Sequence, residues 1–172
     1  MYKRVLFWLA LLLQIALLLM IPIPRWLILT YGRTVLLETE PYDPYTVFSG
    51  YYADLRLKIS NPGYLSKRYE FKDQNNYYVV LTPDKQGVWQ PLRITRQLPH
   101  SLGKSEVALK GKLQYYQMKY GIEQYYLPEA KRRHINQLLR NRQNQVLVVA
   151  KVGRDGTAVV QELRIGGQVF RY

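Results

Sequence analysis

The C-terminal stretch VLVVAKVGRDGTAVVQELRIGGQVFRY, residues 146–172, decides the fold class. It contains three runs rich in valine, isoleucine and other strand-forming residues, separated by the turn sequences GRDG (153–156) and GG (166–167). β-Branched and aromatic residues favour strands, and short glycine-containing turns join neighbouring antiparallel strands. The stretch therefore predicts a three-stranded β-meander.

Further strands are indicated upstream by the same residue types and by alternation of apolar and polar side chains, which marks a half-buried strand. These segments are 34–40, 51–59, 77–81, 88–96, 106–120 and 122–127. The segments 77–81 and 88–96 predict a hairpin. Pro91 lacks an amide donor, so its strand should lie at a sheet edge or carry a bulge. Gly111 predicts a bend or bulge within 106–120.

One soluble helix is predicted over residues 128–142. Pro128 suits the first turn and Glu129 the positive end of the helix dipole. Ile135, Leu138 and Leu139 form an apolar stripe that faces a core. Residues 34–172 are therefore expected to be a mainly β domain, a small barrel or sandwich with one amphipathic helix.

The N-terminus is strongly apolar. Residues Val5 to Ile23 read VLFWLALLLQIALLLMIPI and contain no charge. As a helix this run would be about 28 Å long, close to the hydrocarbon thickness of a bilayer. Residues 1–33 are thus predicted to be a single transmembrane anchor with its linker, the helix ending at Pro22 and Pro24.

A cleaved signal peptide is the competing interpretation of this segment, but the run is long and is not followed by a small-x-small cleavage site. Lys3 and Arg4 precede the run, whereas Arg25 and Arg33 follow it. With the amino group added, the positive-inside rule favours a cytoplasmic N-terminus. The domain is then expected on the extracytoplasmic side of the membrane.

The composition excludes several kinds of site. The chain has no cysteine and two histidines, which excludes disulfides and thiolate chemistry and leaves little material for a metal site. We predict no catalytic group, no metal and no cofactor. The net charge is +13, of which residues 1–33 supply +4 and the remainder +9.

Two stretches resemble a known family. PYDPYTVFSGYYADLRLKI (41–59) is similar to the signature of the bacterial GDYXXLXY membrane-anchored proteins. Gly50, Tyr52 and Leu55 match it, whereas Tyr51 replaces the aspartate and Leu57 replaces the last tyrosine. KYGIEQYYLPEAK (119–131) resembles the later block of the same family through Tyr120, Gly121, Ile122, Glu123, Tyr125, Pro128 and Glu129.

This resemblance implies association with polytopic membrane proteins, beside which such chains are encoded, and it implies neither an activity nor a cofactor. A weaker likeness to type I signal peptidases suggests the alternative of a membrane-anchored hydrolase. That enzyme would need Ser49 activated by Lys110 or Lys112. The plainer interpretation of these residues is a turn serine and two surface lysines.

A basic run is the strongest binding signal outside the signature. It consists of Lys131, Arg132, Arg133, Arg140 and Arg142. A solvated helix face, anionic lipid headgroups and an acidic partner protein all fit these cations. Nucleic acid is not expected, because the domain is predicted to be exported.

Taken together, these patterns lead us to expect a single-span membrane protein that acts by interaction, as an accessory or assembly component of a membrane complex. Its partner would be a membrane protein. Glu123 is expected either to be paired with an arginine or lysine or to contact the partner. We further predict that Tyr52, Glu123 and Tyr125 lie close together, with Tyr52 as a contact residue.

Overall fold

The computed structural model describes residues 2–40, 52–61, 74–115, 117–126, 134–135, 137–139, 141 and 144–171, with only the backbone described for 52–54. Two helices, α1 Tyr2–Leu19 and α2 Pro22–Tyr31, come first. A 3₁₀ helix spans Lys58–Ser60. The strands are β1 Arg33–Glu38, β2 Tyr52–Asp54, β3 Asn76–Pro83, β4 Trp89–Thr95, β5 Val107–Gln114, β6 Gln117–Lys119, β7 Gln124–Tyr126, β8 Val146–Val152, β9 Ala158–Ile165 and β10 Gln168–Arg171.

These strands form two four-stranded sheets and one pair. The first sheet has the order β1-β8-β9-β10, the second has the order β4-β3-β5-β6, and β2 pairs with β7. All of these pairings are antiparallel. The predicted C-terminal β-meander is confirmed as β8, β9 and β10.

Both four-stranded sheets contribute to one hydrophobic core. Leu37 and Leu163 come from the first sheet and Leu81 and Leu109 from the second, and none of the four is exposed. The mainly β domain predicted from the sequence is therefore confirmed. The helix predicted over 128–142 is helical at 134–135 and 137–139, where Ile135 and Leu139 are buried in this core and Leu138 packs against it.

The β3–β4 hairpin forms as predicted. Val80 lies opposite Arg93 and Leu81 opposite Pro91, so Leu92 is an extra residue on β4. β4 is also an edge strand of its sheet. Pro91 therefore occupies a bulged edge strand, where the missing amide hydrogen leaves no ladder bond unmade.

The single strand predicted over 106–120 is wrong. The segment forms a hairpin, β5 and β6, whose last pair is Gln114 opposite Gln117. Gly111 is neither a bend nor a bulge, because it lies in regular register opposite Tyr77. A Cβ atom at Gly111 would lie 2.6 Å from Cγ of Met118, so the glycine permits the close approach of a core side chain.

The strand predicted over 51–59 is shorter than expected. β2 ends at Asp54, and the chain turns into the 3₁₀ helix at Lys58. The predicted alternation of burial nevertheless holds, since Leu55, Leu57 and Ile59 are buried while Arg56 and Lys58 are exposed.

The apolar N-terminus forms two helices rather than the one predicted over 5–23. α1 ends at Leu19, and Pro22 occupies the first turn of α2, where its missing amide is tolerated. The described side chains of α1 are not buried. By its length and composition alone, α1 qualifies as a helix that can cross a membrane.

β1 separates two ends of the domain. At its start, Gly32 joins α2, and Arg33 lies opposite Val152. Beyond its last residue, Thr39 bridges Leu57, and the Glu40 amide donates to the Arg56 carbonyl at 2.7 Å. A strand of this length spans about 20 Å. We call the end of the domain at Arg33, where α2 joins β1, the α2 end. The opposite end, beyond Glu38, is called the far end.

Candidate functional site

The two stretches that resemble the family signature pair directly with each other. β2 and β7 run antiparallel, with Ala53 opposite Tyr125, and the Leu55 amide donates to the Glu123 carbonyl at 2.6 Å. The two blocks are therefore neighbours, as the sequence analysis expected. The register places Tyr52 opposite Tyr126 rather than opposite Tyr125. Gly50 lies outside the described residues.

Glu123 stabilises a turn. Its carboxylate accepts hydrogen bonds from the amides of Tyr120 and Gly121, the latter at 2.9 Å. Gly121 has a φ of +79°, a conformation that L side chains rarely adopt. The described contacts of the Glu123 carboxylate are with backbone amides rather than with the arginine or lysine that was one expectation for it. The Gly121–Glu123 portion of the signature thus fixes the backbone ahead of β7.

Tyr120 connects this turn to the 3₁₀ helix. Its buried hydroxyl donates to the Ile59 carbonyl at 2.7 Å. Burial, together with the nearby charge of Glu123, raises the pKa of Tyr120 far above its ordinary value. The hydroxyl is therefore a permanent donor, and its role here is to hold Lys58–Ser60 against β6.

Tyr125 and Ile122 are core residues. Tyr125 is fully buried, and its hydroxyl donates to the Phe170 carbonyl at 3.1 Å, which ties β7 to β10. Ile122 is 2% exposed. Tyr125 cannot contact a partner through its side chain, because no part of its ring reaches solvent.

A polar pocket lies at the far end, between the 3₁₀ helix and β6. Its volume is about 290 Å³. The lining residues come from the end of β1, from the segment after β2 and from the β5–β6 hairpin. They are Glu40, Arg56, Leu57, Ser60, Asn61, Tyr115, Gln117 and Lys119. Tyr120 flanks this pocket, since it follows Lys119 in the chain and its hydroxyl bonds to Ile59, the neighbour of Ser60.

The chemistry of the pocket is that of a binding site for a polar group. Arg56 and Lys119 supply two cations and Glu40 one carboxylate. The Ser60 hydroxyl is buried and has no hydrogen-bond partner among the described residues. Since a buried hydroxyl without a partner is costly, a bound polar group could satisfy it.

Tyr115 stands at the edge of this pocket in an unusual backbone conformation. Its φ is +50°, in the left-handed region where glycine and asparagine are preferred, and its side chain is 84% exposed. Strain of this kind often marks positions that are retained for function.

Several predicted site residues lie outside the described part of the chain. These are Ser49, Gly50, Pro128, Glu129, Lys131, Arg132, Arg133, Arg140 and Arg142. The proposed serine–lysine pair is therefore not tested, although Lys110 and Lys112 are both exposed on β5. Among the described residues no group of three histidine, cysteine or acidic side chains is placed to hold a metal.

One buried acidic residue was not predicted from the sequence. Glu162 is 2% exposed and bonds to Arg164 at 2.6 Å and Arg171 at 2.7 Å. Burial acts to raise the pKa of Glu162, but the hydrogen bonds and charges of the two arginines lower it overall. The spacing of Glu162 and Arg164, two residues apart on one strand, was the available signal.

The fold defines a class of β-domain proteins that carry a long apolar helix at the N-terminus. Within that class the chain is matched by the family model described as GDYXXLXY protein, over residues 14–163. This match covers most of the chain, and the protein belongs to the GDYXXLXY family. No curated protein and no solved structure matches the chain.

Proposed function

We propose that this chain is a single-span membrane protein that acts by binding, as an accessory or assembly component of a membrane complex. The observation that carries the proposal is the far-end pocket, where an exposed, strained tyrosine and an unpartnered hydroxyl stand beside charged side chains. The signature residues Tyr120 and Glu123 hold the segments that flank that pocket. The side chains of Tyr120 and Glu123 are used in hydrogen bonds to backbone groups. They therefore shape a binding site and do not act as catalytic groups.

The membrane part of the proposal rests on the N-terminal helices. Residues 5–24 contain no charged side chain, and α1 alone extends about 27 Å, close to the thickness of the hydrocarbon layer. Trp26 and Tyr31 follow and are largely exposed, 60% and 77%. Aromatic residues are enriched at the membrane–water interface, which supports an anchor ending near Arg25.

The proposed partner is a membrane protein that presents an acidic segment outside the bilayer. Its carboxylate would bind Arg56 and Lys119, and its backbone amides would find acceptors in Glu40 and Ser60. The ring of Tyr115 would pack on the segment from the side of the hairpin. Because the pocket lies about 20 Å from the α2 end along β1, the segment would have to extend beyond the membrane surface.

A co-purification experiment tests this proposal. The full chain, tagged after Tyr172, is isolated from its own membranes in mild detergent, and retained proteins are quantified. Replacing Arg56→Gln and Lys119→Gln together should release the partner. Replacing the exposed Lys85→Gln and Lys110→Gln, both outside the pocket, removes the same charge and should leave retention unchanged. Equal retention in both double variants would refute the pocket as the binding site.

The anchor and its orientation have a separate test. The mature protein should begin at Met1 or Tyr2 and resist extraction by carbonate. A reporter enzyme that works only after export, fused after Tyr172, should be active. This follows because Lys3 and Arg4 favour a cytoplasmic N-terminus, which places the C-terminus on the other side of the membrane. A mature N-terminus between Ile21 and Tyr31 would contradict the anchor, and a reporter active only in the cytoplasm would contradict the orientation.

A further inference from the structure

α2 is fixed to the β domain rather than joined to it by a free linker. The Gly32 amide donates to the Ile28 carbonyl at 2.7 Å, and β1 begins at the next residue. α2 lies against β8 and β9. A Cβ atom on Gly153 would lie 3.1 Å from Cγ1 of Ile28, so the helix contacts the β8–β9 turn closely. The α2 end of the β domain is therefore held at a fixed position relative to the helix α2.

That position is close to the lipid headgroups if α1 crosses the membrane, as proposed above. Arg25 is the first charged residue after the apolar run. From Arg25 to Gly32 the helix rises about 10 Å, little more than the depth of one headgroup layer. A charge at this height lies within roughly one Debye length of the membrane surface at physiological salt.

Besides Arg33 and Lys85, four cations lie around this junction. Arg25 lies on α2, and Lys151 and Arg154 lie at the end of β8 and in the turn beside Gly153. Lys104 lies at the same end, since its backbone carbonyl accepts a hydrogen bond from the Arg33 guanidinium. Lys104, Arg154 and Arg25 are exposed, and none of the four forms an ion pair in the part of the chain that the structure describes.

The acidic residues at this end are already engaged. Glu106 forms a bidentate pair with Arg93, at 2.9 and 2.8 Å. Asp155 accepts hydrogen bonds from the amide and hydroxyl of Thr157 and lies near the charge of Lys110.

The remaining acid, Asp84, accepts hydrogen bonds from two amides of its own turn, those of Gln86 and Val88. Asp84 and Asp155 keep their negative charge, but the four cations around the junction outnumber them, so an excess of positive charge remains at this end.

We infer that the α2 end binds the anionic headgroups of phospholipids through Arg25, Lys104, Lys151 and Arg154. This surface is separate from the basic run at 131–142 considered in the sequence analysis. Each cation near an anionic membrane surface contributes an attraction that corresponds to about a fivefold change in affinity at low salt. The inference depends on the proposed membrane span of α1.

The test uses the full chain in phosphatidylcholine vesicles that contain a trace of spin-labelled phosphatidylglycerol or spin-labelled phosphatidylcholine. The fraction of motionally restricted lipid gives the selectivity of the protein for the anionic lipid. The wild-type chain should prefer phosphatidylglycerol several-fold. The variant Lys104→Gln/Arg154→Gln should lose most of this preference, as should the wild type at about 1 M salt, where the Debye length is near 3 Å.

The matched control is Arg96→Gln/Lys112→Gln, which removes two exposed cations at the far ends of β4 and β5. It should retain the preference. The inference would be overturned if the control lost selectivity to the same extent, or if the wild type showed no selectivity. In both cases a restricted lipid fraction would still support the anchor. Absence of any restricted lipid would overturn both the anchor and the inference. Unchanged circular dichroism of both variants verifies that they are folded.

Discussion

Tyr120→Phe tests the claim that the signature tyrosine acts as a structural hydrogen-bond donor. The substitution removes only the hydroxyl, so it leaves the Ile59 carbonyl without its buried partner at 2.7 Å. Leaving one buried acceptor unsatisfied costs about 1–3 kcal/mol of unfolding free energy. No sizeable cavity forms, because the ring stays in place.

The assay is urea unfolding of the detergent-solubilised full chain, followed by near-ultraviolet circular dichroism. Tyr78→Phe is the matched control, since Tyr78 is only half-buried and its hydroxyl has no hydrogen bond among the described residues. Its unfolding free energy should change by less than about 0.5 kcal/mol. Equal stability of Tyr120→Phe and Tyr78→Phe would refute the proposed role of Tyr120.

Three further predictions concern stability. Gly111→Ala should cost about 1–3 kcal/mol because the new methyl meets Met118, and a double-mutant cycle with Met118→Ala should show positive coupling in urea unfolding. Hydrogen bonds from Arg93 help hold the pKa of Glu106 at about 2, below its ordinary 4.5. The stabilisation that Glu106 contributes should therefore be complete above about pH 4.5 and be lost as the pH falls toward 2. In Arg93→Gln, the melting temperature should fall less steeply over this pH range than in the wild type. Leu55→Ala should cost about 2–5 kcal/mol by calorimetry, as expected for truncation in a core.

The strands that the sequence predicted best are those with explicit turn residues. The meander carries glycine turns, and the β3–β4 hairpin has PDKQG, so both appear in the structure where they were expected. The β5–β6 hairpin was missed because its turn is built on tyrosines, with Tyr115 at a positive φ. Local turn preference was overridden there by the fold as a whole.

The candidate site was predicted only in part. The family resemblance brought together the two blocks that pair as β2 and β7, but alternation could not tell that Tyr125 is buried against β10. The pocket draws Glu40, Ser60 and Tyr115 from three segments far apart in the chain. No local sequence pattern indicates that these three residues meet. Their proximity becomes visible only when the pairing of the strands is known.

Photo-crosslinking from position 115 in native membranes tests the central claim most directly. A benzophenone amino acid at Tyr115 should yield one discrete adduct with a membrane protein. The adduct should disappear in the Arg56→Gln/Lys119→Gln background, while the same probe at Gln86, in the turn at the α2 end, should not form it. An adduct formed equally from both positions, or one that survives removal of the two cations, would contradict partner recognition at the far end.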